Sequence, residues 1–456
     1  MLSLYDSGQK GAKNYMKLIY NVNDRPAPSQ LVVFAFQQVL AIMAATIAVP
    51  MIIGHGMSTA AAIFGAGMGT FIYVFFTNRK SPVFLGSSFA FIGSMNAAFA
   101  GAVSAQAGYV GLLFGALCAG LVYVILSFVI KSVGVDWVNK LMPPVVIGPT
   151  VAIIGLSLAG NAVGDLQTSS ATGEATQWAV LCGLIALFAT MIASTYGKKN
   201  AKLIPFIIGI LAGYVAAAVL TLIGQSTGNT AMIITNFESL KNIHGLFALP
   251  DFTFLKAFGA MGEVDGAYLG TIAVAYIPVA FVVFAEHIAD HKNISSIIEH
   301  DLLEDPGLSR TLLGDGVGSI VGAFFGGCPN TTYGESVACV AITRNASVTT
   351  IMVAAAECLL ISFISPFIAF LSSIPACVMG GVCMALYGFI SVSGLKMLQK
   401  VDLEKNKNLF VVSTILISGI GGLSLSFGKV TITSIACALI LGIIVNNMLA
   451  NDPDLK

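Results

Sequence analysis

The stretch 328–335, Cys-Pro-Asn-Thr-Thr-Tyr-Gly-Glu, decides the fold expected for this chain, and the stretch 81–88, Ser-Pro-Val-Phe-Leu-Gly-Ser-Ser, is its counterpart. Both lie inside long apolar tracts, yet both carry a proline at the second position and several small or polar residues. Proline lacks the N–H that a helix interior needs, and it biases the preceding residue toward extended backbone. Each stretch is therefore predicted to run extended and then to turn into a short helix.

The composition around these stretches predicts a membrane protein. Hydrophobic residues make up 56% of the 456 residues, charged residues make up 10%, and the mean hydropathy is +0.88. Soluble proteins carry about 25% charged residues, so this chain cannot cover a water-facing surface. The ranges 26–78, 81–130 and 203–223 contain no Asp, Glu, Lys or Arg. They do not alternate polar with apolar residues, which disfavours a barrel and predicts spanning helices.

Hydropathy predicts an all-α polytopic fold with fourteen transmembrane segments. The expected segments are 31–53, 58–77, 82–100, 106–130, 143–163, 176–196 and 203–223, then 267–289, 311–327, 329–344, 347–369, 374–394, 408–424 and 430–450. The extended stretches fall in the third and tenth segments, which hold equivalent places in two halves of seven. Because an odd number of spans inverts one half relative to the other, we expect two inverted seven-segment repeats. In such carriers, broken helices at matching positions mark the binding site.

Basic residues predict the orientation. With the N-terminus inside, 19 of the 22 lysines and arginines lie inside, and only Lys241, Lys256 and Lys429 lie outside. The positive-inside rule therefore predicts that both termini are cytoplasmic and that the chain is multi-pass in the cell membrane. The expected divisions are a cytoplasmic segment 1–28, a first repeat 29–225, an extracytoplasmic loop 226–264, a second repeat 265–450 and a cytoplasmic tail 451–456.

Carboxyl groups inside the spans are candidates for function, because a charge is costly there. All of them lie in the predicted second repeat: Glu286, Asp290, Asp315, Glu335 and Glu357. Glu286 and Asp290 are four residues apart and share one helix face, although the helix could already be leaving the membrane there. Glu335 falls in the first turn of a short helix, where an acid could merely complement the dipole. Asp290 and Asp315 could each take part in proton coupling or in helix packing. Glu357 is interpreted as a side chain that bonds to a neighbouring helix, in preference to a proton relay.

Three other side chains could complete a site. Gln38 could reach the edge of a ligand, and Phe89, in the broken third segment, could stack on a planar ring. Tyr387 gates the site or simply packs. Two carboxylates facing two half-helix N-termini suit a small, planar, neutral ligand in which ring N–H groups alternate with carbonyls, as in a nucleobase. A carboxyl group buried there can also exchange a proton, which would couple transport to the proton gradient.

Five motifs carry a family resemblance: 84–91 (Phe-Leu-Gly-Ser-Ser-Phe-Ala-Phe), 285–287 (Ala-Glu-His), 305–308 (Asp-Pro-Gly-Leu), 330–335 (Asn-Thr-Thr-Tyr-Gly-Glu) and 341–344 (Ala-Ile-Thr-Arg). Together they resemble the nucleobase–ascorbate transporters, and within them the bacterial uracil permeases, from about residue 26 to 450. The resemblance implies a core domain of segments 1–4 and 8–11, a gate domain of segments 5–7 and 12–14, a base bound between them, and dimers.

The resemblance also assigns roles to residues. The positions that match the substrate contacts are Glu286, Glu335, Gly334, Ser88, Phe89 and Tyr387, with Tyr333 and Gln38 as further candidates, and those expected to take part in proton coupling are Glu286, Asp290, Asp315 and Glu335. The implied function is proton-coupled import of uracil. Uracil permeases often have His where this chain has Asp290, and purine carriers of the family often have Asp there and at Asp315, so xanthine or another purine is the alternative substrate.

Other classes of protein make different predictions. An anion carrier would share the inverted fold and lack the acidic pair, and a channel would show rings of polar residues without a broken acidic site. A membrane enzyme would need a metal cluster or a nucleophile–base set, which the sequence does not offer. A net charge of zero gives no reason to expect nucleic acid as a partner. The sequence therefore predicts a transporter with no cofactor or metal, driven by the proton gradient.

Overall fold

The computed structural model describes residues 18–450 except 199–200, 202–203, 242, 244, 400 and 428–429. Most of the described chain is helical. The helices are α1 (Pro28–Ile53), α2 (Thr59–Phe76), α3 (Ile92–Ala100), α4 (Ala105–Val133), α5 (Asp136–Leu141), α6 (Pro144–Ser157), α7 (Ala159–Gln167), α8 (Gln177–Tyr196), α9 (Pro205–Thr227), α10 (Glu238–Lys241), α11 (Thr253–Phe258), α12 (Gly266–Ile298), α13 (Leu308–Gly326), α14 (Gly334–Thr343), α15 (Val348–Ile361), α16 (Ser365–Ser372), α17 (Ala376–Leu398), α18 (Asn406–Ile420) and α19 (Ser434–Met448). The strands are β1 (Leu85–Ser87), β2 (Asn330–Thr332), β3 (Leu425–Phe427) and β4 (Val430–Ile432).

Local sequence explains where several helices begin and end. The side chains of Ser58, Ser104 and Asp265 accept a hydrogen bond from the third residue of α2, α4 and α12, which satisfies an otherwise free N–H. Gly54 and Gly327 follow α1 and α13 with positive φ, a backbone conformation that costs glycine nothing. These signals place the helix ends close to those expected from hydropathy.

Helical segments occur at all fourteen predicted positions. Eight helical stretches in the described ranges are long and apolar enough to cross a membrane, so the chain is a multi-pass membrane protein. The third and tenth positions hold a strand followed by a short helix, as expected from the prolines. α12 runs to Ile298, well past the predicted end at 289. The number of crossings stays a prediction, and residues 1–17 and 451–456 of the predicted cytoplasmic ends lie outside the described residues.

β1 and β2 pair with each other in the interior. Their antiparallel register joins Leu85 to Thr332, Gly86 to Thr331 and Ser87 to Asn330. We call residues 85–100 and 330–343 the first and second strand–helix segments. Because the strands are antiparallel, the short helices that follow them leave the sheet in opposite directions, and both helix starts lie near the middle of the molecule.

The helices pack in two groups. In one group, α13 packs on α2 and α4, α12 on α4, and α15 on α1 and α2. In the other, α17 packs on α6, α7 and α8, α8 on α9, and α18 on α19 and α6. In the two predicted repeats, α12 would correspond to α1 and α4 to α15. The α12–α4 contact therefore has a counterpart in the α1–α15 contact, as two repeats with the same packing would have. α1 and α12 also contact helices of the second group.

Small residues let α2 and α13 cross at backbone contact. A Cβ on Gly65 would overlap the carbonyl of Gly322, and a Cβ on Gly69 would lie 2.8 Å from the carbonyl oxygen of Gly318. Asn330 of β2 fills the remaining space and donates its amide to the Gly65 carbonyl at 3.1 Å. Close approach of this kind is the usual basis of helix association in membranes, and here it fixes β2 against two helices.

Candidate functional site

Both strand–helix segments present free helix N-termini. α14 begins at Gly334 after Tyr333, and the short 3₁₀ turn Phe89–Phe91 begins after Ser88, and neither start has a side-chain cap. Gly334 is exposed and carries no side chain over its N–H, and the Ser88 hydroxyl is buried without a hydrogen-bond partner in the described chain. The free N–H groups of a helix start favour a carbonyl or an anion, so these two positions can hold an acceptor.

Two carboxyl groups lie beside the α14 start. Glu335 is the second residue of α14, and Glu286 lies on α12, and both side chains are partly accessible. Within the described residues, no other side chain forms a hydrogen bond with Glu286. Asp290, one turn further along α12, is buried and accepts a hydrogen bond from the Thr332 hydroxyl at 2.8 Å. Glu286 and Glu335 are thus available to a ligand, whereas Asp290 already has one protein partner beside Gly334.

An aromatic pair joins the first strand–helix segment to α17. The rings of Phe89 and Tyr387 meet edge to face with centroids 5.4 Å apart, and both residues are buried. Phe89 belongs to the first strand–helix segment, and Tyr387 belongs to α17 in the second group of helices. Two predicted site residues, one from each group of helices, therefore contact each other.

Two predicted contact residues are used mainly in protein contacts. The Gln38 amide nitrogen donates to the Ser336 hydroxyl, which also accepts a hydrogen bond from the Phe84 backbone at 3.0 Å. This leaves the Gln38 carbonyl oxygen and its second amide N–H for a ligand. The Tyr333 hydroxyl donates to the Ser87 carbonyl at 2.8 Å and so holds the two strands together. Both residues position α14, and their contact with a ligand stays a prediction.

Asp315 lies behind the site and is fully buried. Its carboxylate is 2.6 Å from Nδ1 of His287, whose other ring nitrogen is 3.1 Å from the Thr311 hydroxyl. The second oxygen of Asp315 has no partner among the residues described. Asp315 therefore orients a histidine on α12, next to Glu286 in sequence, without itself reaching the space beside Gly334.

A second histidine connects α12 to α2. His291 stacks on His287 with ring centroids 4.0 Å apart, and its Nδ1 donates to the His287 carbonyl at 2.8 Å. Its Nε2 therefore accepts from the Tyr73 hydroxyl, 2.7 Å away, which in turn lies 2.6 Å from the Ser81 hydroxyl. This chain of contacts was not predicted from the sequence, although the i, i+4 spacing of the two histidines on the Glu286 helix indicates that they share one face.

Glu357 is partly exposed on α15. One of its carboxylate oxygens is buried and has no hydrogen-bond partner in the described ranges, so the expected bond to a neighbouring helix is not formed there. No lysine or arginine within those ranges forms an ion pair with any of the intramembrane carboxyl groups; the salt bridge that involves one of them joins Asp315 and His287. The same ranges contain no group of three His, Cys, Asp or Glu placed to hold a metal ion.

The predicted site residues include both hydrogen-bond acceptors and donors. Glu286 and Glu335 can accept hydrogen bonds, the α14 start can donate them, and the Phe89 ring offers a flat apolar face. A planar ligand that carries both N–H and C=O groups would match this set.

Comparisons with known proteins identify the family of this chain. The family model of the Permease family, which covers nucleobase–ascorbate transporters, matches residues 29–426. The chain is 37% identical over 443 residues to a uracil permease of Bacillus subtilis (strain 168), with 95% of each chain covered. It is 33% identical over 425 residues to a uracil permease of Escherichia coli (strain K12), with 92% of each covered. The chain belongs to the Permease family, and these relatives support a nucleobase transporter rather than an enzyme.

Solved structures share the fold at low identity. The transmembrane domain of a cyanobacterium bicarbonate transporter, BicA, is 15% identical with a TM-score of 0.62, covering 93% of this chain and 98% of that one. A murine Solute Carrier 26 family member A9 anion transporter in the inward-facing state is 9% identical with a TM-score of 0.64, covering 94% of this chain and 69% of that one. These likenesses concern the fold alone.

Proposed function

We propose that this protein is a proton-coupled symporter that imports uracil across the cytoplasmic membrane, with both termini in the cytoplasm. The observation that carries the proposal is the uncapped start of α14 at Gly334, with the available carboxyl groups of Glu286 and Glu335 beside it. Uracil has two ring N–H groups and two carbonyl groups. The carboxylates would accept from the N–H groups, and the free backbone N–H groups of the half-helix would donate to a carbonyl.

The two groups of helices would act as core and gate. In this proposal the core contains both strand–helix segments and carries the base, and the gate supplies Tyr387. The Phe89–Tyr387 contact joins side chains from the two groups, so a movement of one group against the other would open or close the space beside Gly334. Alternating access in carriers with inverted repeats works in this way.

Proton coupling would use the carboxyl groups. Glu286 and Glu335 lie close together without a lysine or arginine partner in the described structure, and two like charges in a low-dielectric site repel each other. Binding a proton relieves this repulsion, and a protonated carboxyl group can also donate a hydrogen bond to the base. Asp290 and the Asp315–His287 pair would set how easily the proton moves, because they lie on or against the same helix.

A purine such as xanthine is the second candidate. Asp290 favours it, because a third carboxylate, beside Gly334, could accept the additional N–H of a fused ring. An anion carrier has the same fold in solved structures, yet the carboxyl groups of Glu286, Asp290 and Glu335 would repel an anion. A homodimer, as the family resemblance implies, completes the proposal.

Uptake measurements separate these candidates. The protein would be expressed in cells that lack their own base permeases, and uptake of labelled uracil would be measured with xanthine, guanine and thymine as competitors. Uracil uptake that excess unlabelled uracil abolishes and that the same excess of xanthine lowers only weakly supports the proposal. Uptake of xanthine without uptake of uracil would assign the purine function instead.

A further inference from the structure

A second cavity lies between the two groups of helices. Its volume is about 230 Å³, and its walls come from the end of α1, from α7 with the loop after it, and from the first turns of α17. Met51, Ile52, Asp165, Ser170 and Cys383 are among the residues that line it. Pockets for drug-sized ligands measure about 300–1,000 Å³, so this cavity suits a smaller molecule.

Asp165 gives this cavity a carboxyl group. Asp165 lies beyond the predicted end of the fifth segment at 163, but α7 continues through this residue. A Cβ at Gly380 would lie 2.8 Å from the Ala162 carbonyl oxygen, so this glycine allows α7 to pack directly on α17. Asp165 is partly exposed, and within the described chain no side chain forms a hydrogen bond with its carboxylate.

Ser170 adds a donor next to this acceptor. Its hydroxyl oxygen accepts a hydrogen bond from the Ala376 N–H at 2.7 Å, which leaves its O–H free to donate. Asp165 can accept from a ring N–H while Ser170 donates to a ring carbonyl. The thioether of Met51 and the side chain of Ile52 supply an apolar, adaptable surface for the faces of the ring.

The cavity adjoins the candidate site without being part of it. Cys383 lines the cavity and lies one helical turn before Tyr387 on α17, beside the Tyr387 hydroxyl. Asp165 is close enough to interact electrostatically with both of these residues. Tyr387 in turn contacts Phe89, so the cavity lies beside the side chain that joins α17 to the first strand–helix segment.

We propose that this cavity is an outer binding site, in which Asp165 and Ser170 hold a nucleobase before Tyr387 lets it pass. The inference rests on the proposed function for the identity of the ligand. It also uses the predicted orientation, which places the loop that contains Ser170 outside the cell. Transport then requires two successive sites with the same donor–acceptor chemistry, one with a single carboxylate and one with two.

A cysteine-protection experiment tests the outer site with uracil as the probe. Ala376, which also lines the cavity, is changed to Cys, and the rate of its labelling by a small maleimide is measured on purified protein in detergent. We expect saturating uracil to slow labelling several-fold. A cysteine at Thr172, on the adjacent exposed loop, is the matched control and should label at the same rate with and without uracil.

A second substitution added to the Ala376→Cys protein shows which site causes the protection by uracil. Asp165→Asn should raise the uracil concentration for half-protection about tenfold or more, because a hydrogen bond to a charged acceptor is lost, and Asp165→Glu should restore part of it. Glu286→Gln should leave protection in place. Protection that disappears in Glu286→Gln would show that it comes from the inner site, and this result overturns the inference.

The failure of the inference is separable from that of the proposed function. If uracil does not slow labelling but the protein still takes up uracil, the outer site is wrong and the proposed function stands. Protection that depends on Asp165 in a protein that takes up no uracil keeps the outer site and overturns the function. If uracil neither slows labelling nor is taken up, both the outer site and the proposed function are wrong.

Discussion

The first and second strand–helix segments have similar backbones and different side chains. In each, a three-residue strand is followed by one residue and then by a helical turn, so Phe89 corresponds to Gly334 and Ala90 to Glu335. The first segment presents a ring where the second presents bare backbone, and a methyl group where the second presents a carboxyl group. The intramembrane acids of α12, α13 and α14 also belong to the second half. The first strand–helix segment thus supplies the apolar surface, and the second supplies the charge.

The largest effect on uptake is expected in the second strand–helix segment, which carries the carboxyl group. Glu335→Gln replaces an acceptor with an amide that cannot take a proton, so we expect uracil uptake to fall about 100-fold or more, since hydrogen bonds to charged groups contribute about 1.5–3 kcal/mol each. Glu286→Gln should do the same. Initial rates of labelled uracil uptake, normalised to the amount of protein in the membrane, measure both.

Glu357→Gln is the matched control for these variants. It removes an intramembrane carboxyl group that lies on α15, away from both strand–helix segments, and should leave uptake within about twofold of the wild type, as is usual for a substitution outside a site. Near-normal uptake by Glu335→Gln or by Glu286→Gln would remove that residue from the site.

Substitutions in the first strand–helix segment should have a smaller effect on transport. Phe89→Ala removes the ring that faces Tyr387, and we expect the KM for uracil to rise about tenfold, because stacking of a base on an aromatic ring contributes about 1–3 kcal/mol. Phe89→Tyr should stay near the wild type. A KM for Phe89→Ala equal to that of the wild type would mean that the ring only packs against Tyr387.

Substrate choice should respond more weakly at Asp290. Asp290→His removes the additional carboxylate beside Gly334, and we expect uracil uptake to persist with xanthine competing a few-fold less well. Competition curves for uracil uptake with xanthine and thymine give the measurement. Loss of uracil uptake together with a gain of xanthine uptake would reverse the assignment of Asp290.

The smallest effect is expected on the stability of the packing that holds the second strand–helix segment against α2 and α13. Gly322→Ala places a methyl group against the Asn330 side chain at the α2–α13 crossing, and overpacking of this kind costs about 1–3 kcal/mol. We expect the purified protein to unfold a few degrees lower in detergent. Gly270→Ala is the control, because nothing lies within 4 Å of a Cβ at this exposed position of α12, and its unfolding temperature should not fall. Equal unfolding temperatures for the two variants would contradict the tight crossing.

The sequence predicted the backbone of the site better than its hydrogen bonds. Prolines and small residues at 81–88 and 328–335 are local signals, so the strands and the short helices after them could be predicted. The partner of a buried polar side chain lies on another helix, and no local pattern indicates which one. The pairing of His287 with Asp315, the link from His291 to Tyr73, and the cavity at Asp165 therefore became visible only in the folded chain.

Proton-driven uptake by the purified protein tests the central claim most directly. The protein would be reconstituted into liposomes, and labelled uracil uptake would be followed after an imposed pH gradient, acidic on the outside. The account predicts accumulation of uracil above the external concentration, which a protonophore abolishes and which Glu335→Gln liposomes do not show. Uracil that merely equilibrates across the membrane at the same rate with and without the gradient would contradict a proton-coupled symporter.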